Sequence, residues 1–241
     1  MNEIIEPTLV AHEVSRVFRT GAGDVHACTD VSLAVHPGEL LVIRGKSGSG
    51  KTTLLNLLGG LDKPTSGAVI VGGVDLATLS DRKRAELRRG RIGYVFQTFG
   101  LIPVLSAAEN IEVPLRVRGT DPAEREARVA EMLELVGLAD HAQQRPYELS
   151  GGQQQRVGLA RSLVAAPDVL IADEPTGQLD SRTAAGMMDL IQRIVVERNI
   201  AAVISTHDPL LVERADNVAE MHDGRITPVV RSRGRHARTS A

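Results

Sequence analysis

The sequence predicts an α/β fold around a mostly parallel sheet, and three observations carry that reading. Apolar runs of strand length alternate with stretches of helical periodicity. The run at 40–43 leads directly into a glycine-rich loop that opens a helical stretch, and the run at 169–172 ends in the adjacent acids Asp173 and Glu174. In an open α/β sheet, both features fall at the edge where ligands bind.

The strand candidates are 40–43, 68–71, 92–96, 169–171 and 202–204. Between the third and fourth, Asp121 and Pro122 form an N-cap and first-turn pair, and Val129, Met132, Leu133 and Val136 recur at helical spacing. After Ser181, the stripe Met187, Leu190, Ile191, Ile194 and Val195 predicts a second amphipathic helix lying on the sheet. Asp223 and Gly224 before Ile226 read as a tight hairpin turn. Beyond Val230 the arginine-rich end has almost no apolar residue to offset its ordering entropy and reads as a mobile tail over 231–241. Residues 1–230 then form a single domain.

With 241 residues, 42% hydrophobic and 24% charged, the chain can bury a sizeable core. A net charge of -2 argues against general polyanion binding, so no nucleic-acid partner is expected. Cys28 is the single cysteine, which excludes an intrachain disulfide and a thiolate metal cluster and suits a reducing cytosol. The first ten residues carry Glu3 and Glu6 and lack the basic start and apolar run of a signal peptide. The apolar runs fall far short of the roughly 18 to 20 residues that span a bilayer.

After the run at 40–43 come Gly45, Lys46, Ser47, Gly48, Ser49, Gly50, Lys51 and Thr52, then a helical stretch from Thr53. This is G-x-x-x-x-G-K-[ST] in its strand, loop, helix context. Glycines let successive N–H groups turn inward, and the helix start adds partial positive charge, so the loop wraps polyphosphate oxygens. Lys51 is placed for the β and γ phosphates and Thr52 for Mg²⁺. The plain alternative is a turn that joins strand to helix. A dinucleotide-binding glycine pattern fails, because Thr53 stands where its third glycine belongs. Asp173 and Glu174 alone could cap a helix. Beside a phosphate loop they divide into a residue for the Mg²⁺ shell, Asp173, and one that polarises attacking water, Glu174. A second helix start, Ser150, Gly151, Gly152 and Gln153 before an apolar helical stretch, is an N-cap with free glycine N–H groups and hence a second anion site.

The wording Leu149-Ser150-Gly151-Gly152-Gln153 resembles the signature motif of ATP-binding cassette proteins, and the resemblance extends from Val14 to about Ile226 with the family landmarks in order. It implies a P-loop NTPase core of the RecA-like kind, an antiparallel β subdomain, and an inserted α-helical subdomain at about 99–162. It further implies that Phe18 stacks on adenine, that Gln97 contacts Mg²⁺ and the attacking water, that His207 hydrogen-bonds the γ phosphate, and that Asp180 touches the opposite subunit. The chain departs from the family at Gln178, where asparagine is common before Leu179-Asp180, and at Gly100, where asparagine usually follows the phenylalanine.

In this family the two helix starts, at Gly50 and Gly152, face away from each other. A symmetric head-to-tail pair then sets each ATP between one subunit's phosphate loop and the other's Ser150 and Gly152. A separate integral membrane permease is implied, docking near Gln97 and 99–105, with the cassette peripheral on the cytoplasmic face of the inner membrane. The segments 58–67, 96–103 and 109–111 resemble the macrolide-exporter and lipoprotein-release branch, with the bacterial cell-division ATPase close by. A module that signals across the membrane without moving cargo is the alternative function. A soluble cassette acting on DNA or ribosomes usually needs tandem cassettes, a coiled coil or basic surfaces, which the sequence does not offer. Arg82, Lys83, Arg84, Arg88, Arg89 and Arg91 read as a solvated basic helix, though they could meet phosphates or acidic lipid.

Overall fold

The structure is a computed structural model that describes residues 6–21, 23–208, 212, 215 and 217–231. In chain order its strands and α-helices are β1 (Leu9–Thr20), β2 (Gly23–Val35), β3 (Leu40–Arg44), α1 (Lys51–Leu58), β4 (Ser66–Val71), β5 (Val74–Asp75), α2 (Asp81–Arg91), β6 (Ile92–Val95), α3 (Ala107–Arg118), α4 (Pro122–Leu135), α5 (Gly151–Leu163), β7 (Val169–Asp173), α6 (Ser181–Glu197), β8 (Ala201–Thr206), β9 (Asn217–His222), β10 (Arg225–Ile226) and β11 (Val230–Arg231). The tail expected over 231–241 lies outside the described residues after Arg231.

Two sheets result. One is antiparallel in the order β2-β1-β4-β5; the other runs β10-β9-β3-β8-β7-β6, with β11 also on β9. In the second sheet β9, β3, β8, β7 and β6 are mutually parallel, and β10 and β11 close on β9 antiparallel. Alternate residues of the central strands serve different layers, because side chains on a strand point to opposite faces. Leu40, Val42, Leu170, Ala172, Ala202 and Ile204 join the core shared with α3, α4, α5 and α6. Leu41, Ile43, Val169, Ile171, Ala201 and Val203 join the core shared with α1 and the antiparallel sheet. Covered on both faces, these strands must be apolar throughout, which is why they read as unbroken runs.

The helices form where the sequence supplies caps. Asp121 accepts from the Ala123 N–H at 2.9 Å with Pro122 at the first helical position, and Val129, Met132 and Leu133 of α4 are buried. In α6 the whole expected stripe is buried, each side chain contributing about 1.5–3 kcal/mol relative to exposure. α5 packs on α3 and α4 and also on β6, so it joins the helical layer to the parallel sheet. The β9 to β10 turn has Asp223 and Gly224 both at positive φ, 46° and 75°, as a tight hairpin turn requires.

Three expectations need correction. The strand candidate 68–71 sits in the antiparallel sheet, inside β4. The candidate 92–96 stops at Val95, leaving Phe96 exposed and stacked on Tyr94 with ring centroids 4.6 Å apart. The basic helix α2 is only partly solvated: Arg84 is buried against Asp81, Arg88 donates to the Gly60 carbonyl at 2.8 Å, and Arg91 pairs with Asp168 at 2.6 Å. Arg88 and Arg91 tie α2 to its neighbours.

Candidate active site

Four parallel strands deliver their carboxyl ends to one cleft of about 710 Å³, lined by residues 46–53 after β3, Gln97 after β6, Glu174 after β7 and His207 after β8. The phosphate loop cannot be built without two of its glycines. A Cβ on Gly50, at φ 106°, would stand 2.2 Å from the Ala27 carbonyl oxygen, and one on Gly45 would stand 2.4 Å from that of Met221. The loop is also held from outside, since Gly224 donates to the Ser49 carbonyl at 3.0 Å and accepts from the Thr29 N–H at 2.8 Å.

Lys51, buried at the first position of α1, donates to the Gly45 carbonyl at 2.8 Å and to that of Lys46 at 3.1 Å. Its ammonium lies 3.7 Å from Glu174 Oε1. Among the described residues the buried Ser49 Oγ, on the cleft wall, has no hydrogen-bond partner. Thr52 lines the cleft and is exposed. A buried cation, an unpaired hydroxyl and a helix start together make a cup for anionic oxygens.

The two acids are set by one residue that sequence reasoning missed. Ser205 Oγ, at the end of β8, donates to Asp173 Oδ1 at 2.6 Å and accepts from the Glu174 N–H at 2.9 Å. Asp173 is buried there, and Glu174 turns into the cleft at φ 44°. Its Oε2 meets His207 Nδ1 at 3.0 Å and Gln97 Nε2 at 3.5 Å. Glu174 is thus the common partner of Lys51, Gln97 and His207. Behind it, the Tyr94 hydroxyl donates to Asn56 Oδ1 at 3.0 Å, and its pKa is raised by burial first and by the Asp173 carboxylate second. Burial likewise pushes the Cys28 thiol up to about 12, so this cysteine beneath the loop is inert.

Residues 150–153 and Asp180 fall in a second group that lines no part of this cleft. Ser150 caps α5, its Oγ accepting from the Gln153 N–H at 3.3 Å, while Gln153 Oε1 accepts from the Ser150 N–H at 2.8 Å. Asp180 caps α6 and accepts from the Arg182 and Thr183 N–H groups, each at 3.1 Å, and from Thr183 Oγ1 at 2.6 Å. The Thr183 hydroxyl, followed by its N–H, holds that carboxyl below the usual carboxylate range. The two helix starts touch: a Cβ on Gly152 would stand 2.5 Å from Thr183 Cγ2, and one on Gly151 would lie 3.8 Å from Leu179. Phe18 stands opposite Val25, a cleft residue, with its ring partly exposed and the Arg16 guanidinium 4.4 Å from the ring centroid. His26 and Asp223 also line the cleft. The only sequence sign of them was the Asp223-Gly224 turn.

The family model described as ABC transporter matches residues 28–177. The lipoprotein-releasing system ATP-binding protein LolD of Bordetella pertussis is 46% identical over 222 residues, 92% of this chain and 96% of that protein. The macrolide export ATP-binding/permease protein MacB of Salmonella paratyphi A is 45% identical over 213 residues, 88% of this chain and 33% of that protein, so the chain spans about a third of it. Among solved structures, the dimeric post-hydrolysis state of the ATP-binding cassette MJ0796 bound to ADP and Pi superposes with a TM-score of 0.85 at 37% identity, covering 94% of this chain and 99% of that one. The chain belongs to the ABC transporter family, as an ATP-hydrolysing cassette.

Proposed function

We propose that two copies of this chain close around two ATP molecules and drive an integral membrane permease from the cytoplasmic face of the inner membrane. One observation carries the pairing: the two anion-seeking helix starts of one chain, at Gly50 and at Ser150 to Gly152, do not share a cleft. A symmetric partner supplies the missing half of each site. The dimeric state of the cassette MJ0796 supports this reading.

In that arrangement residues 45–53 wrap the phosphates, Lys51 leaves the Gly45 and Lys46 carbonyls for the β and γ oxygens, and Ser150, Gly151, Gly152 and Gln153 approach the γ phosphate across the interface. Phe18 offers its exposed face to adenine, and Asp180 stands at the subunit contact. Glu174 polarises the attacking water as general base. His207 and Gln97, both already bonded to Glu174, orient the carboxylate and report on the γ phosphate.

Thr52 and Gln97 line the cleft, and the buried Asp173 directly precedes the cleft residue Glu174; their oxygens are a set suited to Mg²⁺, which prefers hard ligands and keeps several waters. Bound there, the ion neutralises phosphate charge. Ser205 Oγ, donating at 2.6 Å, fixes the direction of the Asp173 carboxylate.

Residues 1–230 act as one nucleotide-binding domain, with the helical subdomain at about 99–162 as the surface that meets the permease. Ile102 and Val104, 40% and 73% exposed in that subdomain's leading loop, supply apolar contact. The loop is tied to α3, because the buried Asn110 bonds both the N–H and the carbonyl of Ile102, at 2.8 and 3.2 Å. Likeness to LolD and MacB favours the lipoprotein-release and macrolide-export branch.

Co-purification from membranes tests the partner. A permease is expected to copurify with the parent chain and to be lost on Val104→Asp with ATPase activity intact. Retention of the same partner by that variant would refute the docking loop.

A further inference from the structure

The start of α5 carries a hydrogen-bond chain whose direction is fixed from one end. A backbone N–H can only donate, so the Gln153 atom that meets the Ser150 N–H at 2.8 Å is the amide oxygen. The Gln153 nitrogen then faces His141 Nε2 at 3.1 Å. An NH₂ group also only donates, so His141 Nε2 is the acceptor and the ring proton sits on Nδ1, which meets Gln144 Oε1 at 2.8 Å. Flipping Gln153 would set donor against donor at Ser150.

This chain matters because of where the helix begins. Its first two residues are Gly151 and Gly152, the type that loses most backbone freedom on ordering, about 1 kcal/mol per residue relative to alanine. The reciprocal bond from the Gln153 N–H to Ser150 Oγ is long at 3.3 Å. The Gln153 side chain is therefore the main brace of the first turn, and its amide nitrogen is held by His141, from the short turn Ala139–His141.

We propose that His141 is a positioning residue for the second nucleotide cup: by fixing Gln153 it holds the Ser150 N–H and the glycine turn in the geometry that receives the partner subunit's ATP. The inference rests on the reading of residues 150–153 as the half-site contributed across the pair. His141 lines no part of the phosphate-loop cleft, so ATP binding to a single subunit is independent of it.

The test uses the full chain carrying Glu174→Gln, with dimerisation at saturating Mg-ATP followed by sedimentation. His141→Phe keeps a ring and removes the acceptor. One net hydrogen bond is worth about five-fold, and with two cups per dimer the dimer dissociation constant is expected to rise about twenty-five-fold. His141→Gln restores an acceptor oxygen and is expected to return it to within about three-fold of the parent, with monomer ATP affinity equal in all three. A His141→Gln variant no better than His141→Phe would overturn the proposal, since loss of packing would then account for both. Gly151→Asp separates this failure from that of the underlying reading. Its Cβ meets nothing closer than 3.5 Å and its carboxylate suits a helix start, but it repels phosphate. Pairing that survives Gly151→Asp would remove the half-site reading and the role of His141 with it. Pairing broken by Gly151→Asp but untouched by His141→Phe would remove the role of His141 alone.

Discussion

Glu174→Gln tests the cleft at its common point. The carboxylate is met by His207 at 3.0 Å, Gln97 at 3.5 Å and Lys51 at 3.7 Å, all through side chains. The amide keeps the size and one acceptor oxygen but cannot take a proton from water. A general base contributes about 10²–10⁴ in rate, or about 2.7–5.4 kcal/mol at 1.36 kcal/mol per decade, so turnover is expected to fall by that factor. Binding moves the other way. The backbone of the phosphate loop is untouched, a negative charge near the γ phosphate is gone, and Lys51 loses a competitor for its ammonium. ATP affinity is therefore expected to equal or exceed that of the parent, and a nucleotide-trapped dimer should accumulate. Phosphate release at saturating Mg-ATP measures the first effect, and sedimentation with and without ATP measures the second. Turnover within about three-fold of the parent, in a protein that melts like the parent, would refute the assignment of Glu174 as the base.

Lys51→Ala removes a buried ammonium that now donates to two backbone carbonyls and lies 3.7 Å from Glu174. Charge-assisted bonds are worth about 1.5–3 kcal/mol, so ATP affinity should weaken roughly ten- to hundred-fold by calorimetry, and equal affinity would contradict the role given to Lys51. Ser205→Ala takes from Asp173 its 2.6 Å donor and from the Glu174 N–H its 2.9 Å acceptor. The expected result is about 1.5–3 kcal/mol less stability in urea and a higher Mg²⁺ concentration for half-maximal turnover; an unchanged Mg²⁺ requirement would detach Ser205 from the metal-binding acid. Asp180 has its carboxyl pKa lowered in the folded state, chiefly by the Thr183 hydroxyl. Its contribution is fully present above the ordinary carboxylate pKa of about 3.9 and is lost as pH falls through the lower folded value. Asp180→Asn keeps an acceptor for the cap and is expected to flatten the acid limb of the stability curve, read as urea midpoints across that window.

What the sequence disclosed follows from how local each feature is. The phosphate loop is consecutive residues, and its glycines answer to sterics that any such loop meets, so it could be read directly. The caps Asp121 and Ser150 act within three residues of themselves and were equally plain. The long pair β1 and β2 was hidden because its register shifts between Ala11 and Val14, between Val14 and Arg16, and again before Val17, which breaks the alternation that marks a half-buried strand. Ser205 was hidden for another reason. It reaches Asp173 and Glu174 because β8 lies between β3 and β7 in the sheet, an order that no spacing along the chain reveals. Arg88 and Arg91 looked like solvent-facing charge because their partners Gly60 and Asp168 are distant in sequence.

The same structure explains how ATP can hold the proposed pair together and ADP release it. Each cup is partly satisfied in a single chain: Lys51 rests on its own loop carbonyls, and Ser150 and Gln153 cap each other. Nucleotide binding is then an exchange of partners, and its net yield is set by the charge-assisted bonds that only the γ phosphate makes. Moving a closed-to-open ratio from 99:1 to 1:99 requires about 5.5 kcal/mol. Shared between two cups, that is about 2.7 kcal/mol each, which one or two charge-assisted bonds at about 1.5–3 kcal/mol supply. The start of α5, with its two glycine N–H groups, has that number to offer, and no further conformational spring is needed to reopen the dimer once the γ phosphate leaves.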